Sequence, residues 1–360
     1  MNFAVQSALV FFLAAISAVF ANEMDPCASR CDAAALDCTY YCPCSTGCPK
    51  GCSTNAECSQ NEFCNYTDLL ILNYRQHFRD EGVIIDTTTD VGRPVDFDYG
   101  FSDVQNSCTV VLRGEMYMLG GNQRTNQAKV TIAKISKDGC RVEVTDDKIV
   151  PTFVGGTNGS CAFYKETVAL CFKEIEKDYK ACYQWEPGQR RVKNLPSTNF
   201  SHDWAEMTDY RYQDKMVVTG GCTQDFIYGC HSKTEIFDGT RWIEGPDVPI
   251  PEVKGHKMTA DEEAVYIVTG RGYDYHGIPE VLKLDMATQQ WSAIGKLVEN
   301  TTWNNSAFQW GYSWYTGECS IQKATYNDGV FSTEIIIPDD NDCYMDLWYA
   351  HMFELPAGQC

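Results

Sequence analysis

The chain has 360 residues, 44% of them apolar, and a formal net charge of −20 at neutral pH. Such an acidic composition excludes nucleic-acid binders and proteins that adhere to anionic membranes, since both classes need a basic footprint. Its 19 cysteines exclude a reducing cytosol, because thiols in that number persist as disulfides only in an oxidising compartment.

The N-terminal segment predicts export. Residues Ala8–Ala21 form an apolar run without charge, and Val19 and Ala21 satisfy the small-residue rule of signal peptidase. We therefore expect a signal peptide over 1–21, cleaved before Asn22; an uncleaved anchor is the alternative. No later apolar run is long enough to span a membrane, so we expect a secreted chain without membrane insertion.

Residues 22–64 predict a small cysteine-rich, disulfide-bonded module. Nine cysteines lie between Cys27 and Cys64, and large aliphatic residues are almost absent, so disulfides would have to replace a hydrophobic core. Zinc binding is the alternative for such closely spaced cysteines, but an oxidising compartment favours disulfides. Because the cysteine total is odd, at least one cysteine is free or pairs with another chain. Disulfide-linked self-association is therefore an expectation.

From residue 65 onward the pattern indicates an all-β fold. Leu69–Tyr74 and Val83–Thr89 are rich in aliphatic and β-branched residues, so 65–107 is interpreted as a linker with the first, closing strands. Residues 108–360 carry an internal repeat, in which an apolar strand running into glycine recurs about every 50 residues, although the second copy has lost its glycines. The five copies are Met116–Gly121, Thr167–Phe172, Lys215–Gly221, Val265–Arg271 and Ser313–Cys319.

A second mark follows some of these strands. In the third and fourth copies a tryptophan, Trp242 or Trp291, comes after a hairpin turn. The unit therefore reads strand, strand ending in glycine, loop, strand, turn, strand, which describes the four-stranded blade of a β-propeller. We expect the glycine pairs to permit tight turns and the tryptophans to wedge between neighbouring blades.

This pattern resembles the kelch repeat family. The resemblance rests on Gly120, Gly121, Gly220, Gly221, Gly270, Trp242 and Trp291, and the layout resembles secreted kelch-like proteins with an N-terminal cysteine-rich segment. It implies a kelch-type β-propeller of five to six four-stranded blades over 108–360. Six blades are favoured, with the strand-like segment Cys343–Pro356 meeting the N-terminal strands in one shared blade, because an open ring would expose strand edges.

The blade pattern predicts four disulfides. Cys171–Cys182 and Cys222–Cys230 flank the loop between the second and third strands of consecutive blades, where antiparallel neighbours lie within bonding reach. Cys140–Cys161 is expected to join one blade to the next, and Cys319–Cys343 to lie within one blade. Five Asn-x-Ser/Thr sequons predict N-glycosylation of at least some of these sites: Asn65, Asn158, Asn199, Asn300 and Asn304.

No motif in the chain specifies an enzyme. It has no nucleophile elbow, zinc-protease motif, P-loop or dinucleotide fingerprint, and we expect no catalytic residue, metal or cofactor. The kelch resemblance extends to galactose oxidase, a copper enzyme whose site needs two histidines, two tyrosines and a cysteine. Tyr273, Tyr275 and His276 share one loop, but no second histidine or free cysteine can be assigned to join them. A copper enzyme is therefore the less favoured alternative.

The function expected is that of a secreted, non-enzymatic protein that binds an extracellular protein or glycan through propeller loops. Loops on a rigid ring carry recognition, and aromatic side chains at loop tips suit protein or sugar surfaces. The candidate binding residues are Phe226, Tyr228, Tyr273, Tyr275 and His276. The alternative is a disulfide-cross-linked structural component of an extracellular matrix or mucus. His202, in the segment SHDW, is expected to be an exposed loop histidine.

Overall fold

In the computed structural model, all described residues belong to one of the two compact units of the chain. The protein divides into two compact units, Met1–Asn65 and Tyr66–Cys360, and every described residue lies in the second. The described residues are 68–73, 81–87, 89–95, 108–112, 115–120, 130–135, 142–146, 149, 159–172, 179–210, 213–223, 229–261, 263–272, 277–298, 307–310, 313–316, 320–327, 329–337 and 351–355. None of them forms a helix long and apolar enough to cross a membrane.

The described strands form six antiparallel sheets of four strands each. Sheet 1 contains β1 (Asp68–Asn73), β2 (Glu81–Asp86) and β3 (Val91–Val95), and sheet 2 contains β4 (Cys108–Leu112), β5 (Glu115–Leu119), β6 (Val130–Ile135) and β7 (Val142–Asp146). Sheet 3 contains β8 (Ser160–Tyr164), β9 (Thr167–Cys171), β10 (Cys182–Trp185) and β11 (Lys193–Leu195), and sheet 4 contains β12 (Glu206–Tyr210), β13 (Lys215–Thr219), β14 (Thr234–Phe237) and β15 (Trp242–Glu244). Sheet 5 contains β16 (Lys254–Ala260), β17 (Ala264–Arg271), β18 (Glu280–Asp285) and β19 (Gln290–Lys296), and sheet 6 contains β20 (Ala307–Trp310), β21 (Ser313–Thr316), β22 (Ile321–Asn327) and β23 (Val330–Ile337). The fourth strand of sheet 1 is β24 (His351–Leu355).

The sheets follow one another in a propeller-like ring. The first strands of successive sheets lie side by side, β4 against β8, β8 against β12, β12 against β16, β16 against β20, and β20 against β24. Strand β24 then pairs with β1, with Phe353 opposite Leu70. The last described strand therefore completes the sheet that the first strands begin, and this pairing covers an edge that would otherwise be open.

The repeated strand–glycine mark falls on the same element of every sheet in which it occurs. Its five copies lie on β5, β9, β13, β17 and β21, which are the second strands of sheets 2 to 6. The last four residues of β5, β9 and β13 are all buried, because a strand between two neighbouring sheets has no solvent-facing side. The continuous apolar runs seen in the sequence are the consequence of this double burial.

Gly220 shows why the mark ends in glycine. It has φ +62°, and a Cβ at this position would collide with the backbone carbonyl of Val253. Its neighbour Gly221 donates its N–H to the same Val253 carbonyl at 2.7 Å. Only a residue without a side chain lets the chain that enters sheet 5 approach the end of β13 so closely.

The two repeat tryptophans lie between neighbouring sheets, as expected. Trp242 packs against Phe237 of its own sheet, and Phe237 in turn meets Tyr164 of sheet 3 edge-on. Its Nε1–H donates to the carbonyl of Pro196, just after β11 of the preceding sheet, at 2.9 Å. Trp291 repeats this bond to the carbonyl of Pro246, just after β15, also at 2.9 Å. Each indole therefore fills an apolar gap and satisfies its one donor on the preceding sheet.

Apolar clusters fill four of the junctions between sheets. The cluster between sheets 2 and 3 includes Val130 and fully buried Trp185; others lie between sheets 3 and 4, 4 and 5, and 5 and 6. Truncating a buried tryptophan such as Trp185 to alanine costs about 3–5 kcal/mol. The core is thus distributed over these four junctions, which hold sheets 2 to 6 against one another.

Three disulfides tie described residues together. Cys171–Cys182 and Cys222–Cys230 are the pairings expected from the sequence. The expected bond Cys140–Cys161 is wrong, because Cys161 is bonded to Cys108.

The physical reason for this correction is the position of the two partners in the ring. Cys108 and Cys161 lie on β4 and β8, the first strands of adjacent sheets, and their Cα atoms are 5.6 Å apart. First strands contact each other across the junction between sheets, so a bond between sheets forms there. Cys140, Cys319 and Cys343 lie outside the described residues.

Candidate functional site

The strand order places different kinds of connection at the two ends of the sheets. Loops between second and third strands leave each sheet at the same end as the connections from a fourth strand to the next first strand. We call this the connecting end. The turns between first and second strands and between third and fourth strands lie at the opposite end, the hairpin end. The candidate site lies at the connecting end of sheets 3 to 5.

Disulfides constrain two neighbouring loops at the connecting end. Cys171 ends β9 and Cys182 begins β10, directly opposite in register, so their bond closes the loop between the second and third strands of sheet 3. Cys222–Cys230 closes the equivalent loop of sheet 4. Each cross-link therefore fixes the two ends of its loop next to each other.

A buried ion pair joins the connection between sheets 3 and 4 to the interior of sheet 4. Nε2 of His202 lies 2.9 Å from Oε2 of Glu235 on β14, and both side chains are 0% exposed. Nδ1 of His202 lies 2.7 Å from the carbonyl oxygen of Gly220. Since a carbonyl and a carboxylate can only accept hydrogen bonds, both ring nitrogens must donate, and His202 is an imidazolium.

Glu235 is held as a carboxylate by four donors. Oε1 accepts the backbone N–H and the side-chain amide of Asn199 at 2.8 and 2.7 Å. Oε2 accepts the N–H of Phe200 at 3.0 Å and the His202 ring. Burial alone would raise the pKa of Glu235, but these hydrogen bonds hold the pKa below its ordinary value. The carboxylate has no accepting direction left for a ligand.

His231 lies against this pair in the opposite protonation state. Its ring meets the ring of His202 edge-on, with centroids 5.3 Å apart. Nδ1 accepts the N–H of Lys233 at 3.3 Å, so the ring proton is on Nε2, which donates to the carbonyl of Ser201 at 2.7 Å. Burial lowers the pKa of His231. One charged and one neutral imidazole are therefore in contact, on two different segments of the chain.

Lys233 closes the outer side of this cluster. Its ammonium lies 2.8 Å from Glu244 and 3.2 Å from Asp247, and these two partners raise its pKa. It also lies 5.3 Å from the centroid of the Phe200 ring. The Lys233 ammonium thus contacts both the Phe200 ring and the solvent-facing carboxylates of Glu244 and Asp247, at the outer edge of the buried network.

A third histidine in the same region is also buried. His256 on β16 is 1% exposed, and its Nε2 lies 2.7 Å from the hydroxyl of Thr219 at the end of β13. Its Nδ1 has no hydrogen-bond partner. Burial, reinforced by the charges of Lys257 and His202, lowers the pKa of His256 to about 3. The ring is therefore neutral at physiological pH.

A second charged pair links the first strands of sheets 4 and 5. Nζ of Lys257 on β16 lies 3.1 Å from Oε2 of Glu206 on β12. Burial raises the pKa of Glu206, and the nearby lysine charge opposes that shift. This pair adds a charged tie between two neighbouring sheets, next to the apolar cluster that fills the same junction.

This arrangement is suited to holding segments in place rather than to reacting with a substrate. His202 and Glu235 are inaccessible, and their hydrogen-bonding groups are occupied within the protein. In the part of the chain that the structure describes, no group of three or more His, Cys, Asp or Glu side chains could hold a metal ion. The chemistry of the cluster is positional: it fixes the connection 196–205 and the described residues at the two ends of the loop between β13 and β14.

The candidate binding residues predicted from the sequence fall, by chain position, between described strands whose connections leave at this end. Phe226 and Tyr228 fall between Thr219 and Thr234, and Tyr273, Tyr275 and His276 fall between Arg271 and Glu280. These are the loops between the second and third strands of neighbouring sheets 4 and 5. The five residues themselves lie outside the described residues, so their role stays a prediction.

Asn199 is the one sequon that can be described, since Asn65, Asn158, Asn300 and Asn304 lie outside the described residues. The residue is exposed, but its amide nitrogen donates to Glu235 and, at 3.4 Å, to the carbonyl of Trp242. A sugar on this nitrogen would replace one of its two hydrogens. The sequon and the buried network therefore compete for the same atom.

The sequence interpretation of His202 is wrong, and it misses Glu235. An exposed loop position is expected for His202, but the residue is fully buried. One signal for the pair exists in the sequence: Glu235 lies in the strand TEIF, all four residues of which are buried. A carboxylate inside a buried strand requires a partner, but nothing local identifies that partner as a residue 33 positions earlier.

Comparisons with known proteins show the fold alone. No family model matches the chain, and no curated protein matches it. A solved structure described as "Structure of YjhT" is similar over 71% of this chain and 91% of that chain, with a TM-score of 0.56 and 11% sequence identity. At this identity the likeness supports the propeller-like arrangement and carries no statement about activity.

Proposed function

We propose that the protein is a secreted, non-enzymatic binding protein that holds an extracellular protein or glycan with loops at the connecting end. One observation carries the proposal: two neighbouring loops at this end are each closed by a disulfide, and a fully buried ion pair anchors the connection between them. Preorganised loops lose less conformational entropy on binding, so a rigid base under aromatic loop tips favours recognition.

The architecture proposed for this binder is a kelch-type propeller of six blades. The repeat strands occupy the second position of five sheets, and Trp242 and Trp291 make equivalent bonds to the preceding sheet. Six described four-stranded sheets, with β24 completing the first, favour six blades over five.

Secretion is proposed from three independent features. The apolar N-terminal segment ending at Ala21 and the five sequons are features of exported chains. Three disulfides among the described residues are compatible with an oxidising environment. N-terminal sequencing of the mature protein tests this directly: a first residue of Asn22 supports it, and a retained Met1 contradicts it.

Binding is tested with the full-length protein, secreted and fluorescently labelled, on arrays of immobilised glycans and purified extracellular-matrix proteins. The double variants Phe226→Ala/Tyr228→Ala and Tyr273→Ala/Tyr275→Ala should each weaken the strongest signal at least about tenfold, since buried aromatic anchors dominate interfaces. Arg241→Ala at the hairpin end, where the side chain is 77% exposed, is the matched control and should bind normally. Equal losses in all three variants would contradict binding at the connecting end.

A structural role in a matrix or mucus is the second candidate, and the odd cysteine total favours it. Of 19 cysteines, at least one cannot form a disulfide within the chain. Intact mass of the deglycosylated protein, with and without reduction, separates the two functions. Disulfide-linked multimers would favour the matrix role, and a monomer with one alkylatable thiol would favour the soluble binder.

A further inference from the structure

Asn199 joins the connection between sheets 3 and 4 to the buried carboxylate of Glu235. Its backbone N–H and its side-chain amide both donate to Oε1 of Glu235, at 2.8 and 2.7 Å. They supply two of the four hydrogen bonds that this carboxylate accepts. Because hydrogen bonds to a charged group are stronger than those between neutral groups, the Asn199 amide contributes directly to holding Glu235 in place as a carboxylate.

The backbone around Asn199 is held on both sides. The N–H of Thr198 donates to the carbonyl of Lys180 at 3.1 Å, and the ammonium of Lys180 donates to the carbonyl of Asn199 at 2.8 Å. The N–H of Phe200 donates to the second oxygen of Glu235 at 3.0 Å. While these bonds are in place, any chemical change at the Asn199 amide must be accommodated by rotation of the side chain.

The amide nitrogen of Asn199 faces two protein oxygens, Oε1 of Glu235 at 2.7 Å and the carbonyl oxygen of Trp242 at 3.4 Å. An N-linked sugar would place a carbon about 1.45 Å from this nitrogen, where a hydrogen now lies. A carbon directed at either oxygen would lie well inside the usual separation of carbon and oxygen. A glycosylated side chain would therefore have to turn toward solvent, and Glu235 would lose this donor.

We propose that Asn199 is a structural hydrogen-bond donor to Glu235 rather than a glycan carrier, and that its sequon stays unglycosylated in the folded, secreted protein. Glycan transfer needs the nitrogen that the folded chain uses as a donor, so the sugar and the native hydrogen bond exclude each other. A chain modified at this position would leave a buried carboxylate short of one donor, which is costly where water cannot replace it.

An unmodified Asn199 leaves part of the connecting end uncovered. The residue is exposed and lies between β11 and β12, in the connection from sheet 3 to sheet 4. A glycan is bulky and would shield the surface at the end where the proposed function places binding. This consequence rests on the proposed function, whereas the chemical state of Asn199 is measured without any ligand.

The first test is peptide mass spectrometry of the full-length protein secreted from a glycosylating cell line, after enzymatic removal of N-glycans in heavy-oxygen water. Removal converts each glycosylated asparagine into an aspartate that carries the label. The peptide with Asn199 should carry no label, while a label is expected on at least one of Asn65, Asn158, Asn300 and Asn304. A label on Asn199 in most molecules would overturn the proposal but leave the binding function intact. If no sequon is labelled, the expected glycosylation is wrong and the variants below decide the role of Asn199.

The second test compares two variants that both lack the sequon. Asn199→Ala removes the amide, whereas Ser201→Ala leaves the amide in place. In urea denaturation Asn199→Ala should raise the unfolding equilibrium constant about tenfold or more, as expected for a lost hydrogen bond to a charged group, and Ser201→Ala should raise it several-fold less. Equal effects would show that the amide does not stabilise Glu235, and the proposal would fail. If Asn199→Ala does not fold, the labelling of the wild type decides.

Discussion

The two ends of the sheets are stabilised by opposite strategies. At the hairpin end, Asp238 accepts hydrogen bonds from Thr240 and Arg241, and Asp285 accepts from Ala287 and Thr288. All these partners lie within three residues. At the connecting end, His202 binds Glu235, 33 positions away, and Asn199 binds the same carboxylate across 36 positions. The contacts of one end are local in sequence, and those of the other join segments far apart along the chain.

This difference teaches where the fold depends on burial. The hairpin-end carboxylates are close to solvent, so a lost hydrogen bond can be replaced by water. The connecting-end pair is fully buried, where an uncompensated charge cannot be hydrated. Substitutions at the connecting end should therefore lower the free energy of unfolding more than substitutions at the hairpin end, even where both remove the same number of hydrogen bonds.

The largest effect is expected from His202→Ala. The change leaves the Glu235 carboxylate buried without its counter-charge, and breaking a buried pair in this way costs roughly 3–5 kcal/mol. Urea denaturation followed by tryptophan fluorescence measures the free energy of unfolding. The double variant His202→Ala/Glu235→Gln is the control and should recover part of the loss, because it removes the stranded charge. Additive losses in the double variant would mean that the pair does not interact in the folded protein.

Gly220→Ala should have the next largest effect. The left-handed backbone costs about 1–2 kcal/mol for a residue with a Cβ, and the clash with the Val253 carbonyl adds roughly 1–3 kcal/mol. Gly188→Ala, in the turn between β10 and β11, is matched in backbone, with φ +81° and nothing within 4 Å of the added Cβ. Its loss should be confined to the backbone cost. Equal losses of unfolding free energy would show that the approach of Val253 contributes nothing.

The same difference explains what the sequence could predict. The apolar strands, their glycine ends and the wedging tryptophans recur with the repeat, so the position of Val217 in a buried second strand or of Trp242 at a junction could be inferred from pattern alone. The pairing of Cys171 with Cys182 followed from strand register. Cys108–Cys161 and His202–Glu235 could not be inferred, because each joins different segments through the packing of neighbouring sheets, and neither has a local signature.

Acid should weaken the connecting end before the hairpin end. The pKa of His256 is lowered to about 3 in the folded protein, so the unfolded chain takes up this proton first, from about pH 6.5 downward. Stability from this group is therefore complete above pH 6.5 and is lost as the pH falls toward 3, by about 2 kcal/mol at pH 5. Urea denaturation at pH 7.5 and 5.0 measures the loss. His256→Gln should flatten this dependence, and an unchanged slope in that variant would assign the loss to other groups.

The smallest effect is expected from Asp238→Ala at the hairpin end. The carboxylate accepts bonds from the hydroxyl of Thr240 and from the N–H groups of Thr240 and Arg241, and these bonds lower its pKa to about 2. Its contribution is present above pH 3.8 and is lost below it, so it should be intact at pH 5, where His256 already destabilises the fold. The variant should speed amide exchange within the turn and shift the urea midpoint less than His202→Ala, Gly220→Ala or acidification to pH 5. A midpoint shift as large as that of His202→Ala would show that the turn is needed to assemble sheet 4, and the two ends would then not be independent.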